Sequence, residues 1–262
     1  MSFSVTLPST GLVGWRFLAQ TYNRQLDTLS QSPVIKRDVD YFRAHIQQAR
    51  TAHDLVSDRR LLKVALGAFG LQDDLNNKAF IRTLLESDPT DTKSLVNRIS
   101  DARYKDFVKS FGFNTPFGPK TATRSFATGI INRYHVQSLE FSVGEQSIEM
   151  RLALAAKREI LEIANEKASE NTKWFKVLGR APLRSFLETT FGLPKDFGKI
   201  DLDQQVRVLK SKAQSSFGVK EFRDLAKTDI QSKIIDRFHL MSQINQGYQM
   251  SSTAIAVQLL AR

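Results

Sequence analysis

The histidines have the widest chemical range in this cysteine-free chain, and they stand at His45, His53, His135 and His239. A helical metal pair needs two of them at i and i+4, and no two are so spaced. His53 lies beside Asp54 in "TAHDL", which reads as the start of a helix. Helix-end electrostatics accounts for that pair without catalysis. The carboxylates of "QDD" and "DPTD" read as capping groups, because the glycine and distal glutamate of a calcium loop are missing. There is no G-x-S-x-G elbow, phosphate loop or dinucleotide fingerprint. Trp15 and Trp174 read as core or interface anchors rather than stacking platforms. The expectation is therefore no catalytic, cofactor-binding or metal-binding residue, and a protein that is not an enzyme. A composite site built from distant residues is the rival class.

One pattern does recur. "GAFGLQ", "KSFGFN", "TTFGLP" and "SSFGVK" each place Phe-Gly at the end of a helix-like stretch. Phosphate cradles need glycines that open helices, whereas these would close them. Gly70, Gly112, Gly192 and Gly218 are read as left-handed C-terminal caps, a conformation glycine adopts without a Cβ penalty. The residue after each glycine should turn back onto the helix. Leu71 on Leu66 and Phe113 on Val108 fit well, Leu193 can use Leu187, and Val219 finds only Ala213 and Gln214. The string 61–85 can also be laid on 183–209, each as helix, FG corner, polar loop and helix. The two phenylalanines of a half lie 42 residues apart in the first and 26 in the second, so an approximate internal repeat is an expectation only.

Helical periodicity dominates the elements between these corners. Trp15, Leu18, Tyr22, Leu26 and Leu29 form a stripe over 11–29, and Pro33 can open the next helix. Thr51, Ser57 or Asp58, Ser169 and Asp201 have the character of N-caps, and Pro182 suits a first helical turn. Further helices are expected at 74–86, 93–99, 101–111, 125–143, 146–166, 182–191, 227–244 and 251–261, with "NQGYQMSS" separating the last two. "YHVQSLEFSV" at 134–143 alternates somewhat, yet is assigned to helix. The fold class is all-α, a multi-helix protein with two helical subdomains at 11–112 and 124–244. A flexible 1–10, a linker at 113–123 and a detached C-terminal helix within 245–262 complete the scheme.

The bulk numbers are those of a globular chain. Its 262 residues are 41% hydrophobic and 25% charged, enough to build a sizeable core. No apolar run is long enough for a transmembrane helix, and the first fifteen residues lack the pattern of a cleavable secretory signal. The net charge of +11 raises nucleic-acid binding as an alternative, through residues such as Arg207, Lys210 and Lys212. The excess over residues 1–50, 51–120, 121–180 and 181–262 is +3, +2, +2 and +4, so no segment concentrates it.

Longer strings carry a family likeness. "GWRFLAQTYNRQ", "SDRRLLKVALGAFGLQDDLNNKAFIRTLLESD", "RYKDFVKSFGF", "VGEQSIEMRLALAAKREI", "WFKVLGRAPLRSFLETTFGLP" and "DLDQQV" resemble the alphaproteobacterial family known as domain of unknown function 1217. The resemblance spans roughly 12 to 206 and implies a flagellar association, since genes of that family are commonly found among flagellar genes. It brings no catalytic residues. It implies a structural or assembly protein with protein partners, in the cytoplasm or the flagellum. The contact elements would be the apolar termini, through Trp15, Leu18 and Tyr22 at one end and Ile255, Val257, Leu259 and Leu260 at the other. The rival reading docks both termini on the protein's own core.

Overall fold

The computed structural model describes the backbone of residues 4–115 and 118–260, and side chains as far as Asn245. Thirteen α-helices and five short 3-10 turns make up the secondary structure, and no strand occurs among the described residues. The protein is all-α. The chain divides into two compact units, one formed by 1–6 and 20–143 and the other by 7–19 and 144–262. The segment 113–123 falls within the first unit, where Thr121 is buried and donates to the carbonyl of Ala49 at 2.7 Å.

Six of the helices start where side-chain oxygens accept the free N–H groups of a first turn. Pro33 opens α2 (Pro33–His45), after α1 (Gly11–Ser30). Thr51 and Asp54 form a reciprocal capping box at α3 (Ala52–Ser57), and Asp58 rather than Ser57 caps α4 (Arg59–Gly67). Asp101 caps α7 (Ala102–Phe111), which follows α5 (Lys78–Glu86) and the single turn α6 (Leu95–Arg98). The alternating stretch 134–143 lies inside α8 (Arg124–Gly144), a helix with apolar residues around much of its girth. In the second unit Ser147, Ser169 and Asp201 cap α9 (Ile148–Ala164), α10 (Glu170–Leu178) and α12 (Leu202–Phe217). Pro182 lies in the first turn of α11 (Ala181–Phe191).

The last helix departs from expectation. α13 runs unbroken from Thr228 to Leu260, so "NQGYQMSS" does not separate two helices. Gly247 is the only strong breaker in that stretch, and one glycine costs a helix interior only about 1 kcal/mol.

All four FG glycines adopt positive φ, between 61° and 70°; Gly112, Gly192 and Gly218 cap their helices directly, and Gly70 closes the turn that follows α4. At Gly70 the amide of Leu71 bonds Leu66 O at 2.9 Å and that of Gly70 bonds Gly67 O at 3.2 Å, the double closure of a Schellman motif. Gly192 repeats it, with Leu193 to Glu188 at 2.9 Å and Gly192 to Thr189 at 3.1 Å. Gly112 uses the simpler single bond, to Val108 O at 2.9 Å, whereas at Gly218 its own amide bonds Gln214 O at 2.9 Å and that of Val219 bonds Ala213 O at 3.4 Å. A short 3-10 turn follows each corner, at 72–76, 120–122, 195–199 and 222–226.

Within each unit the corners meet in pairs. Phe69 and Phe111 lie 6.5 Å apart between ring centroids and Phe191 and Phe217 lie 6.2 Å apart, both tilted. In the first unit Phe107 and Phe126 join the cluster edge-on, at 5.4 Å to Phe69 and 5.1 Å to Phe111. Arg103 donates to Gly70 O at 2.5 Å and Tyr104 to Asp74 at 2.6 Å, so α7 clamps the first corner with polar bonds as well. In the second unit α11 packs on α9 and α13 through Leu183, Phe186 and Leu187, with Phe186 and Phe238 at 4.5 Å. The shared pairing does not establish an internal repeat.

These corners predict opposite outcomes for two glycines. Gly112 has φ 66° and only ordinary contacts around an added methyl group, so Gly112→Ala isolates backbone strain. It should lose about 1–2 kcal/mol in chemical denaturation. Gly129, exposed inside α8 with open space around it, should gain about 0.5–1 kcal/mol on replacement by Ala.

Candidate functional site

The residues expected to contact partners fall into two groups. Trp15 and Leu18 are 6% and 0% exposed, and Tyr22 is half-buried. The Trp15 ring lies 5.5 Å from that of His239. Two of the three are therefore packed inside the fold and are not presented to a partner. Ile255, Val257, Leu259 and Leu260 lie outside the residues whose side chains are described. Trp174 is also interior, edge-on to Phe222 at 5.2 Å.

Other apolar side chains of the second unit face solvent. Arg16 reaches Asp236 at 3.8 Å, and a methyl group on Gly11 would strike Gln243, so the start of α1 runs antiparallel to α13. One turn from the ion pair on each helix come Val13, 73% exposed, and Leu240, 49% exposed. Ile244 follows on the same flank of α13, 48% exposed. Arg16 and Val13 stand at i and i−3, and Asp236, Leu240 and Ile244 at steps of four. The seam between the first and last helices thus carries an apolar edge beside one ion pair. Sequence reasoning placed the contact on the buried stripe of α1. The signal for the outer one was Val13 standing on the face of α1 opposite Trp15, with Leu240 and Ile244 four residues apart on one flank of α13.

His239 itself is buried at 1% exposure, and neither ring nitrogen has a hydrogen-bond partner among the described residues. Burial pushes its pKa down to about 4, against the opposing pull of the Asp236 and Glu149 charges. The imidazole is thus a neutral core group. His135 is shifted down too, by burial and by Arg43. His45 stacks on Tyr41 at 4.0 Å, and its Nδ1 pairs with Tyr41 O at 2.8 Å. His53 lies exposed, 3.4 Å from Ser57 Oγ.

Two clefts of the first unit stand out. One, of about 660 Å³, is open and polar, and its groups serve the scaffold. Tyr41 donates to the cap residue Asp58 at 2.7 Å, Arg60 covers the Tyr41 ring at 3.8 Å, and Asp54 closes its own capping box. The other, of about 310 Å³, is mainly apolar, walled by Leu29, Val34, Ile35 and Phe141 with Lys63 and Tyr134 among its polar groups. Behind Lys63 lies Asp38, a buried carboxylate 2.6 Å from Nζ. Neither was singled out in the sequence. The available signal was Asp38 on the apolar face of α2, shared with Ile35, Val39 and Phe42.

No group of three or more His, Asp or Glu side chains is placed to hold a metal among the described residues. No described helix is long and apolar enough to cross a membrane. The basic residues of α12 stand in mixed surroundings, with Asp203 one turn before Arg207 and Lys210 donating to Asn171 at 2.5 Å.

The helix order defines an all-α, multi-helix protein. The chain belongs to the family described as "Protein of unknown function (DUF1217)", which matches residues 68–229. It is similar to the crystal structure of protein AGR_C_984 from Agrobacterium tumefaciens, with 26% identity and a TM-score of 0.72, over 92% of this chain and 99% of that one. No curated protein matches it.

The buried imidazole makes stability pH-dependent. The unfolded chain takes up a proton near pH 6.5 and the folded one only near pH 4. The stabilisation is complete above 6.5 and is lost as pH falls between these values, by about 3 kcal/mol in full. Urea midpoints should fall between about pH 7.5 and pH 5, and His239→Leu should remove most of that slope. His135 is shifted the same way and adds to the slope.

Proposed function

We propose that this protein is a non-enzymatic, flagellum-associated structural or assembly factor that works through helix-to-helix contacts. One observation carries the reading: the exposed apolar edge of Val13, Leu240 and Ile244 where α1 meets α13. Exposed apolar side chains grouped on one seam mark contact sites more often than isolated ones do. The edge lies next to the segment of α13 that leads into "SSTAIAVQLLAR", whose apolar residues Ile255, Val257, Leu259 and Leu260 can extend the contact. The flagellar part rests on the family resemblance, and the partner class is an amphipathic helix of an axial or export component.

The contact is tested by capture from cells carrying a tagged chain. The forms compared are the full chain, one ending at Met250, and the double variant Val13→Glu/Leu240→Glu. Flagellar axial or export proteins should be recovered with the full chain and lost with both altered forms, while circular dichroism keeps the helical signal. Undiminished capture by the double variant would remove the edge from the reading. Recovery of nucleic acid, weakening steeply with salt, would favour a basic nucleic-acid-binding regulator instead.

A further inference from the structure

The apolar cleft of the first unit has the make-up of a ligand site, and it owes nothing to the contact edge of the second. Its volume of about 310 Å³ stands at the lower end of small-molecule pockets, which run from about 300 to 1,000 Å³. Leu29, Ile35, Val34 and Phe141 give it apolar walls. The last two are 43% and 40% exposed, so they form its rim.

Its floor is shaped by a close approach. A methyl group on Gly67 would lie 2.7 Å from the Tyr134 ring, so that ring reaches its place only because residue 67 has no side chain. Burial and the Asp38 charge push the Tyr134 phenol up to about 12, and Ser138 hydrogen-bonds to it. The phenol is a neutral hydroxyl at any physiological pH.

The one charged group on the lining is Lys63. Its side chain is 44% exposed, while Asp38 behind it is 7% exposed and bonds Nζ at 2.6 Å. A carboxylate buried on the core face of α2 is costly, and an apolar pair of the same size would serve stability as well or better. What the pair does achieve is position. It uses one of the three ammonium donors and fixes Nζ on the cleft lining, with the other donors free to meet an incoming acceptor.

We propose that this cleft binds a small aliphatic carboxylate, its chain on Leu29, Ile35 and Phe141 and its head on Lys63. The Lys63 ammonium supplies charge-assisted bonds to the head, and Asp38 acts as the group that positions it. A cationic head would meet that ammonium and be turned away. A neutral alcohol would keep the apolar contacts and lose the charge-assisted ones.

The test is calorimetric titration of the whole protein with octanoate, octanol and octylamine. Octanoate should bind saturably, about tenfold tighter than octanol, and octylamine should not bind. Val34→Trp closes the rim from a solvent-exposed position and should abolish octanoate binding without unfolding the chain. Asp38→Asn/Lys63→Met removes both charges together, leaving no lone buried ion, and should bring octanoate down about tenfold to the level of octanol. The proposal is overturned if octanoate does not saturate at millimolar concentration, if octylamine binds as well, or if Val34→Trp leaves the titration unchanged.

Discussion

A left-handed glycine behind a phenylalanine is the constraint on which this structure rests. At Gly70, Gly112, Gly192 and Gly218 the backbone leaves the helix at positive φ. A side chain there would meet the carbonyl that follows, so only glycine stops the helix without strain. Because the stop is sharp, the preceding phenylalanine stays on the last helical turn and faces the corner of another helix. Phe69 thereby meets Phe111, and Phe191 meets Phe217. Each unit is tied at a pair of helix ends, and its remaining apolar stripes close around that tie.

Caps and corners were legible in the sequence because their chemistry is local. Thr51, Asp58, Ser169 and Asp201 each accept from N–H groups two or three residues on, so their type and position suffice to find them. The interior of α8 was legible for length and ambiguous for period, since polar and apolar residues alternate there. The break expected at 245–252 was wrong because polar residues in a row lower helix preference only slightly, and a single glycine cannot end a long helix by itself.

Surface roles were harder to read. A stripe such as Trp15, Leu18 and Tyr22 says that a helix has an apolar face, and is silent on whether the cover is the protein's own core or a partner. Here Trp15 and Leu18 went inside, and Val13 on the opposite face was left out. The same limit hid the cleft of the first unit. Leu29, Lys63 and Tyr134 are far apart in sequence, and only the packing of α1, α4 and α8 brings them to one lining. Buried polar groups were the available hint, because Asp38 and His239 both interrupt the core face of an amphipathic helix.

The paired corners also set where this fold can change length. The phenylalanine pairs close stretches of 42 residues in one unit and 26 in the other. Closing the longer loop costs only about 0.4 kcal/mol more, because the penalty grows with the logarithm of length. Residues inserted between two corners are therefore nearly free, provided both Phe-Gly ends still meet. The turn-rich stretch around 87–100, anchored by Val96, Leu95, Ile99 and the Asn97 side chain, leaves its exposed turn at 88–93 as the natural place for such insertions. A chain lengthened or shortened there can thus keep one geometry at these corners.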